Sequence, residues 1–406
     1  MITGKTIMII GGAVESLIAI KVAKSLGLKT FVTDGNTNAV GSLTADNFAV
    51  VSTYDHEGNL EAARDYEGNI VGVMTVAADV PYTVAYVAQG LDLPHIPLDA
   101  AIALSDKVIM KNVLKDKVPI PIFKEIYSPN DLKDFSKKVG FPFVVKPVDG
   151  RGSRGVQLVK EGMDFVDVFN LTKKASPSGG VMVEEFLKGD QLSVEGFVID
   201  GRAYLPAIFD RNYEYLEQFS PYIIENGGEM PSKYQKDFKV ECESVMTNSA
   251  KALGIKDGVV KGDFVINDGV IKVIEIAGRL SGGFFGTVAT PYSTGVNPVE
   301  NVMRWSMGEV VDVDKWIPTR EVGACIRFVF FPLGNNMEKK DIIVGMNIIK
   351  ENPYCIYSGV LVNNKDNKIC CHADRNAVVV AGGKDRTESI LNADILIDKL
   401  VSLLSR

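Results

Sequence analysis

Two apolar runs joined by a short polar turn constrain the fold of this chain most strongly. The runs are Val259–Asn267 and Val270–Ile276, and the turn is Asn267-Asp268-Gly269. A turn of this composition is typical of a β-hairpin, so we predict two antiparallel strands. Asp263 lies six positions before Gly269 and Glu275 six positions after it. The spacing therefore predicts that these two carboxylates face each other across adjacent strands, while their apolar neighbours point the other way.

Two carboxylates that share one site repel each other unless a cation joins them. Oxygen ligands together with phosphate suit Mg²⁺, so a metal site is one interpretation of Asp263 and Glu275. The other interpretation is a solvated sheet face on which Lys261 or Lys272 neutralises each carboxylate. The hairpin by itself leaves both interpretations open.

A second motif is a Gly-rich loop that follows a strand ending in a lysine. Its sequence is Phe143-Val-Val-Lys146-Pro-Val-Asp-Gly150-Arg-Gly152-Ser-Arg154-Gly155-Val. Glycine lets backbone N–H groups approach phosphate oxygens, and Lys146 and Arg154 can supply the charge that a triphosphate needs. The pattern GxxxxGK(S/T) is absent and the chain returns to a strand, so the loop is not a P-loop. A flexible hairpin with solvated arginines is the alternative.

A third motif consists of two strands joined by a short link. The segment Val183–Glu195 contains Glu184-Glu185-Phe186-Leu187 and, after Gly189, Gln191. Such a link can present backbone N–H and C=O groups to the edge of a nucleotide base. Any connection between surface strands could look similar, so this motif is weak when taken alone.

The first hundred residues alternate apolar runs with helical patterns. This alternation predicts a parallel sheet with right-handed crossovers, whose ligands lie at the carboxyl ends of the strands. The turn after the first strand has the sequence Gly-Gly-Ala-Val-Glu-Ser and lacks GxGxxG, which disfavours dinucleotide binding. The predicted strands are Thr6–Ile10, Thr30–Thr33, Phe48–Val51, Ile70–Thr75 and His95–Ile96.

Composition and charge exclude several classes of function. The chain has 406 residues, which is enough for two or three domains, and a net charge of −7, which disfavours a nucleic-acid partner. It has no apolar run long enough to span a membrane, and its start does not fit a signal peptide. Five cysteines without a CxxC pair indicate a reducing compartment, so we expect a cytoplasmic protein. Cys370-Cys371-His372 has no ligand-spaced partner and is predicted to end a β-strand.

Taken in order, these motifs resemble the ATP-grasp superfamily of carboxylate–amine ligases over nearly the whole chain. The resemblance implies an α/β and α+β fold. A parallel α/β domain over residues 1–103 would precede an ATP-grasp domain over 104–315. That domain would have two subdomains, the smaller at about 115–186. A small C-terminal α+β region over 316–406 would pack on it and either close the site or form a homodimer contact.

The resemblance also implies roles for individual residues. Arg279, Lys146 and Arg154 would be catalytic, with Arg279 stabilising the acyl phosphate. Asp263 and Glu275 would hold Mg²⁺, with Mn²⁺ as an alternative. We further expect Arg211, Ser281, Gly282 and Gly283 to face the substrate. The residues that would bind ATP are Lys107, Lys146, Gly150, Gly152, Ser153, Gly155, Glu184, Glu185, Phe186, Leu187 and Gln191.

Two positions depart from the family pattern. Ala277 stands where a metal-binding asparagine is usual, and Gln191 stands where a glutamate holds the ribose. We nevertheless expect an ADP-forming ligase. It would activate a small-molecule carboxylate, by preference that of an amino acid, and join it to an amine. A bicarbonate-activating carboxylase is one alternative, and a non-catalytic ATP-binding sensor, favoured by Ala277 and Gln191, is another.

Overall fold

The first strands of the computed structural model, which describes residues 4–330, 339–361 and 368–404, form a parallel sheet of order β3-β2-β1-β4. Helices pack on this sheet and bury its apolar strands. The predicted strand at His95–Ile96 is wrong: this segment lies in an irregular stretch between Pro94 and Pro97, where Ile96 packs into a core. The elements of this region are β1 (Lys5–Ile10), α1 (Ser16–Ser25), β2 (Lys29–Asp34), β3 (Asn47–Val50), α2 (His56–Asp65), β4 (Asn69–Met74), α3 (Pro81–Gly90), α4 (Leu98–Ser105) and α5 (Lys107–Leu114).

A smaller antiparallel sheet of order β5-β8-β6-β7 follows. Strand residues alternate between its faces. Phe143 and Val145 join an apolar core with α6 and α7, whereas Lys146 and Glu184 lie on the opposite face and line a cleft. The elements of this region are β5 (Phe123–Ile126), α6 (Pro129–Val139), β6 (Phe143–Pro147), β7 (Gln157–Val159), α7 (Phe165–Ala175) and β8 (Val181–Glu185).

The largest sheet has eight antiparallel strands in the order β13-β12-β9-β10-β11-β14-β16-β15. Its first part carries the predicted hairpin, and α8 packs on one face. The elements up to the hairpin are β9 (Asp190–Ile199), β10 (Arg202–Asn212), β11 (Gly227–Met230), α8 (Gln235–Ala252), β12 (Gly258–Asn267) and β13 (Val270–Ala277). The later elements are α9 (Thr290–Thr294), α10 (Pro298–Ser306), β14 (Gly323–Val329), α11 (Lys339–Lys350), β15 (Cys355–Val360), β16 (Ala377–Gly383) and α12 (Arg386–Leu404).

The combination of one parallel sheet with two antiparallel sheets confirms the predicted fold class. β14 pairs with β11, so the C-terminal strands continue the sheet that carries the hairpin. The exact domain boundaries remain predictions. Within residues 4–330, 339–361 and 368–404, no helix is both long and apolar enough to cross a membrane.

Candidate active site

A cleft of about 580 Å³ lies where the three sheets approach each other. Its walls come from the turns after β1 and β4, from one face of the small sheet, from one face of the large sheet, and from a C-terminal turn. Every residue that we predicted for the site lines this cleft except Gly155. Gly155 is turned into the protein, where a Cβ would lie 2.4 Å from that of Ala175.

A β-bulge sets the register of the predicted hairpin. Asn267 pairs with Val270 around Asp268 and Gly269, which both have positive φ. Phe264 pairs with Val273, but the next pair is Asp263 with Glu275, so Ile274 is an extra residue in β13. A bulge leaves one residue without a partner and changes which side chains oppose each other. Here it places Asp263 opposite Glu275, with both side chains in the cleft.

Helix α5 delivers a lysine to this carboxylate pair. The side chain of Asp106 accepts from the N–H groups of Val108 and Ile109, at 2.8 and 3.0 Å, and caps the helix. Lys107, the first helical residue, places its Nζ 3.2 Å from Glu275 Oε1. Burial alone would lower the pKa of Lys107, but the carboxylates of Glu275 and Asp79 outweigh burial and raise it.

A second buried charge cluster lies on the small sheet. Glu184 contacts Lys146 through Oε1 and Lys111 through Oε2, the latter at 2.9 Å. Burial alone would raise the pKa of Glu184, but the two ammonium groups lower it. Burial in turn lowers the pKa of Lys111 to about 8, against the attraction of Glu184. Lys111 was missed in the sequence, although it lies four residues after Lys107 and therefore on the same face of α5.

Asp263 has cationic neighbours on two strands. Its Oδ1 lies 2.8 Å from Nη1 of Arg211, and its Oδ2 contacts Lys261. Arg211 also donates from Nε to Glu225 Oε2 at 2.8 Å, so it bridges two carboxylates. Burial alone would raise the pKa of Asp263, but Arg211 and Lys261 lower it to about 2. The carboxylate is therefore ionised at any physiological pH.

This donor set fits a magnesium ion that is shared with a nucleotide. In the described part of the chain, no cluster of three or more His, Cys, Asp or Glu residues could hold a metal by itself. Asp263 and Glu275 nevertheless offer two carboxylates to the same cleft. Mg²⁺ is usually held by one or two carboxylates, with phosphates and water as its remaining ligands.

The Gly-rich loop lines the cleft and is held by hydrogen bonds from several directions. The carbonyl of Gly150 accepts from Lys107 Nζ at 2.7 Å, and that of Gly152 accepts from the N–H of His372 at 2.9 Å. Ser153 donates from Oγ to the carbonyl of Ile223 at 2.6 Å and has a φ of 63°. A non-glycine residue in this conformation is uncommon and costs free energy, and such residues cluster at ligand sites.

The opposite end of the cleft is built around carboxylates that accept from backbone N–H groups. Glu15 accepts from the N–H groups of Gly283 at 2.7 Å and Phe284 at 3.0 Å, and from Oγ1 of Thr287 at 3.0 Å. Glu195 accepts from the N–H of Ser281. Burial raises the pKa of both carboxyl groups, to about 7 for Glu195.

Arg279 lies beside these groups, with Nη2 3.4 Å from Asp79 Oδ2. The N-terminal turn Gly-Gly-Ala-Val-Glu-Ser is the one sequence signal that could have indicated Glu15, because it follows the first strand of the predicted parallel sheet, at the edge where ligands are expected. Nothing in the sequence singled out Glu195.

A C-terminal turn completes the cleft. His372–Asp374 forms a short 3₁₀ turn, so the expected strand end at Cys370-Cys371-His372 is wrong. The reason is local: Asp374 Oδ2 accepts from the N–H groups of Cys370 and Cys371, at 2.8 and 3.0 Å, which curls the backbone. Burial, helped by the nearby Arg375 and Arg211, holds the pKa of His372 well below its usual value, so its imidazole is neutral.

Residues 104–283 match the family model of the ATP-grasp domain. The chain carries an ATP-grasp domain. The resemblance inferred from the sequence motifs is thereby confirmed. The ATP-grasp domain is the part of the chain that contains Lys107, the Gly-rich loop, the link at Glu184–Leu187, the carboxylate pair and Arg279.

Curated proteins that are similar to this chain include two enzymes. A D-alanine–D-alanine ligase from Coprothermobacter proteolyticus is 27% identical over 232 residues, which cover 53% of this chain and 69% of that enzyme. A formate-dependent phosphoribosylglycinamide formyltransferase from Prochlorococcus marinus is 30% identical over 192 residues, or 46% of this chain and 48% of the relative. The second match therefore spans about half of that relative's length.

Solved structures resemble the whole fold. An L-amino acid ligase from Bacillus licheniformis is 19% identical with a TM-score of 0.77, and the match covers 98% of each chain. The ADP complex of an N5-carboxyaminoimidazole ribonucleotide synthetase is 15% identical with a TM-score of 0.75, and covers 100% of this chain and 99% of the other. At these identities the likeness shows the fold alone. Together with the family match, the relatives bear out the prediction of an ATP-using ligase. They do not identify its substrates.

Proposed function

We propose that this protein is an ADP-forming carboxylate–amine ligase that activates the carboxylate of a small molecule, by preference an amino acid. The observation that carries the proposal is the Asp263–Glu275 pair. These carboxylates face the same cleft as Lys107, Lys146 and the Gly-rich loop. Two carboxylates and two lysines beside a Gly-rich loop are what binding of a metal-bound triphosphate requires.

The first chemical step would be phosphoryl transfer. An oxygen of the substrate carboxylate attacks the γ-phosphorus of ATP, the bond to the bridging oxygen breaks, and ADP leaves. Lys107, Lys146 and Arg154 offset the charge on the phosphate oxygens. Asp263 and Glu275 would hold Mg²⁺, or Mn²⁺, which adds positive charge at the same oxygens. Because Ala277 offers no side-chain ligand, phosphate and water would complete the coordination.

The second step would be attack of an amine on the acyl phosphate. A carbon–nitrogen bond forms, the carbon–oxygen bond to phosphate breaks, and inorganic phosphate leaves. Arg279 lies at the end of the cleft that Glu15 and Ser281–Gly283 border, which we call the acceptor end, and its guanidinium would stabilise the oxyanion there. Arg211, Ser281, Gly282 and Gly283 would border the substrate. The closed loop would keep water away from the acyl phosphate.

The base and sugar of ATP would lie along the link between the two sheets. Glu185, Phe186 and Leu187 border the cleft between Glu184 and Gln191. Backbone groups of Glu185 and Leu187 would contact the adenine edge, and Gln191 would accept a ribose hydroxyl.

The test is phosphate release with a panel of amino acids and amines, followed by identification of the nucleotide product and the mass of the organic product. The proposal requires ADP, phosphate and an amide. AMP and pyrophosphate would contradict it. Turnover that depends on bicarbonate would indicate a carboxylase instead, and ATP binding without turnover on any pair would indicate a sensor.

A further inference from the structure

The extra residue of the β13 bulge has an unusual partner. The carbonyl of Ile274 accepts a hydrogen bond from Lys111 Nζ at 3.0 Å. The same ammonium group lies 2.9 Å from Glu184 Oε2, and Lys111 is 0% exposed. A buried ammonium is costly unless its donors are used, so a lysine in this place is held by its two acceptors. Lys111 thus joins the bulge to the carboxylate of Glu184.

Helix α5 contacts three consecutive residues of β13 with three side chains. Lys111 bonds the carbonyl of Ile274, Lys107 pairs with Glu275, and the sulfur of Met110 accepts from the N–H of Ile276 at 3.2 Å. These three side chains are spaced i, i+3 and i+4, so they lie on one helical face. Among the described residues, β13 is the edge strand of the large sheet, and its outer backbone groups pair with no other strand. α5 therefore takes the place of a neighbouring strand at the bulge.

The bulge determines where Glu275 points. A slip of one residue moves every later side chain to the other face of a sheet. Without the bulge, Asp263 would oppose Ile274 and Glu275 would turn away from the cleft. A bulge carbonyl without a partner is free to rejoin the ladder, and the bond from Lys111 opposes that slip.

We propose that Lys111 is a positioning residue for metal-bound nucleotide: it fixes the bulge that sets Glu275 opposite Asp263, and it neutralises Glu184. The second part follows from the geometry of Glu184, which also contacts Lys146. When Lys146 turns to a phosphate, Glu184 keeps one cation, and no buried charge is left alone. This inference rests on the proposed function, because it assumes a metal-bound nucleotide in the cleft.

The experiment measures ADP binding by titration calorimetry, once with Mg²⁺ and once with EDTA. The ratio of the two dissociation constants is the gain in affinity due to metal. Lys111→Met removes the ammonium but keeps most of the volume, and we expect this gain to fall by about tenfold, as for other groups that orient metal ligands. The affinity in EDTA should fall by a smaller factor, because Glu184 without Lys111 competes with phosphate for Lys146. Lys115→Met, an exposed lysine just after the same helix, should keep the wild-type gain.

A folded Lys111→Met protein with the wild-type gain would overturn the proposal. If that variant does not fold, Lys111→Met with Glu184→Gln removes both members of the buried pair and still leaves the Ile274 carbonyl without its donor. A wild-type gain in this double variant would equally overturn it. Failure of the wild-type protein to bind ADP with Mg²⁺ is a different result, because it contradicts the proposed function and not the role of Lys111.

Discussion

The two ends of the cleft hold their carboxylates in different ways. At the nucleotide end, Glu275, Glu184 and Asp263 are paired with lysine or arginine side chains. At the acceptor end, Glu15 and Glu195 accept mainly from backbone N–H groups of the segment after Arg279. Ion pairs therefore hold the carboxylates at the nucleotide end, whereas hydrogen bonds at the acceptor end hold the segment after Arg279.

This difference appears in the pKa values. Cationic side chains outweigh burial at the nucleotide end, where they lower the pKa of Asp263 to about 2 and also lower that of Glu184. Backbone N–H groups do not outweigh burial at the acceptor end, where the pKa of Glu195 rises to about 7 and that of Glu15 also rises. Under the proposed function, the nucleotide end would thus offer fixed charges to metal and phosphate, whereas Glu195 at the acceptor end changes its protonation near neutral pH.

The largest effect is expected from a change at the nucleotide end. Glu275→Gln removes one of the two carboxylates but keeps the shape, and the side chain is 24% exposed, so the protein should stay folded. Metal-dependent ATP turnover should fall by roughly 10²–10³-fold, the usual cost of losing one electrostatic group in such a site. Glu161→Gln, an exposed carboxylate outside the cleft, is the control. Unchanged turnover would remove Glu275 from the site.

The nucleotide end could be predicted from the sequence because its features are local. Lys146 immediately precedes the Gly-rich loop, and Asp106 caps the helix that carries Lys107. The facing of Asp263 and Glu275 was predicted by a symmetric count about Gly269. The turn is in fact centred between Asp268 and Gly269, and the bulge at Ile274 supplies the missing residue. The pairing was therefore predicted correctly, but the count about Gly269 did not include the bulge that produces it. No spacing in the sequence indicates a bulge.

The contacts of the acceptor end could not be predicted from sequence spacing. Glu15 and Gly283 are 268 positions apart, and no periodicity or cap connects them. Glu195 is one of several polar residues on β9, and only the packing of the segment after Arg279 shows what it does. His372 looked like part of a strand end because the effect of Asp374 on the backbone cannot be predicted from residue types alone. Contacts of this kind are set by tertiary packing.

The second prediction concerns the hydrogen bonds of the acceptor end. Glu15→Ala leaves the buried N–H of Phe284, the half-buried N–H of Gly283 and the Thr287 hydroxyl without their acceptor. The free energy of unfolding should fall by about 3 kcal/mol, because each unsatisfied buried donor is costly. ADP affinity should change little, while KM for the amine or carboxylate substrate should rise. Urea unfolding and ADP titration measure the first two quantities, with Glu61→Ala, on the exposed side of α2, as control. A loss confined to ADP affinity would contradict the division between the two ends.

The third prediction uses the protonation of Glu195. Its folded pKa of about 7 lies above the ordinary value of 4.5, so the folded state binds the proton more tightly than the unfolded state. Stability from this group is complete below about pH 4.5, declines as the pH rises to about 7, and is constant above that. The full change is on the order of 3 kcal/mol.

Glu195→Gln cannot ionise, so its unfolding free energy should lack this decline. Urea unfolding of both proteins at pH 5 and pH 8 measures the difference. The unfolding free energy of the Glu195→Gln variant, relative to that of the wild type, should be higher at pH 8 than at pH 5. The same relative stability at both pH values would mean that Glu195 ionises normally, and the contrast between the two ends would be lost.

The smallest effect is expected from Gln191→Glu, which restores the charged residue usual in ATP-grasp enzymes. Gln191 lines the nucleotide end of the cleft. A neutral amide already accepts a hydrogen bond, and a carboxylate strengthens it by only about 1 kcal/mol. ADP should therefore bind about fivefold more tightly, which titration calorimetry can resolve. The KM for the amine substrate should stay the same, since the acceptor end is not touched. Weaker ADP binding would show that position 191 does not contact the ribose, because only a hydrogen-bonded hydroxyl there makes added negative charge favourable.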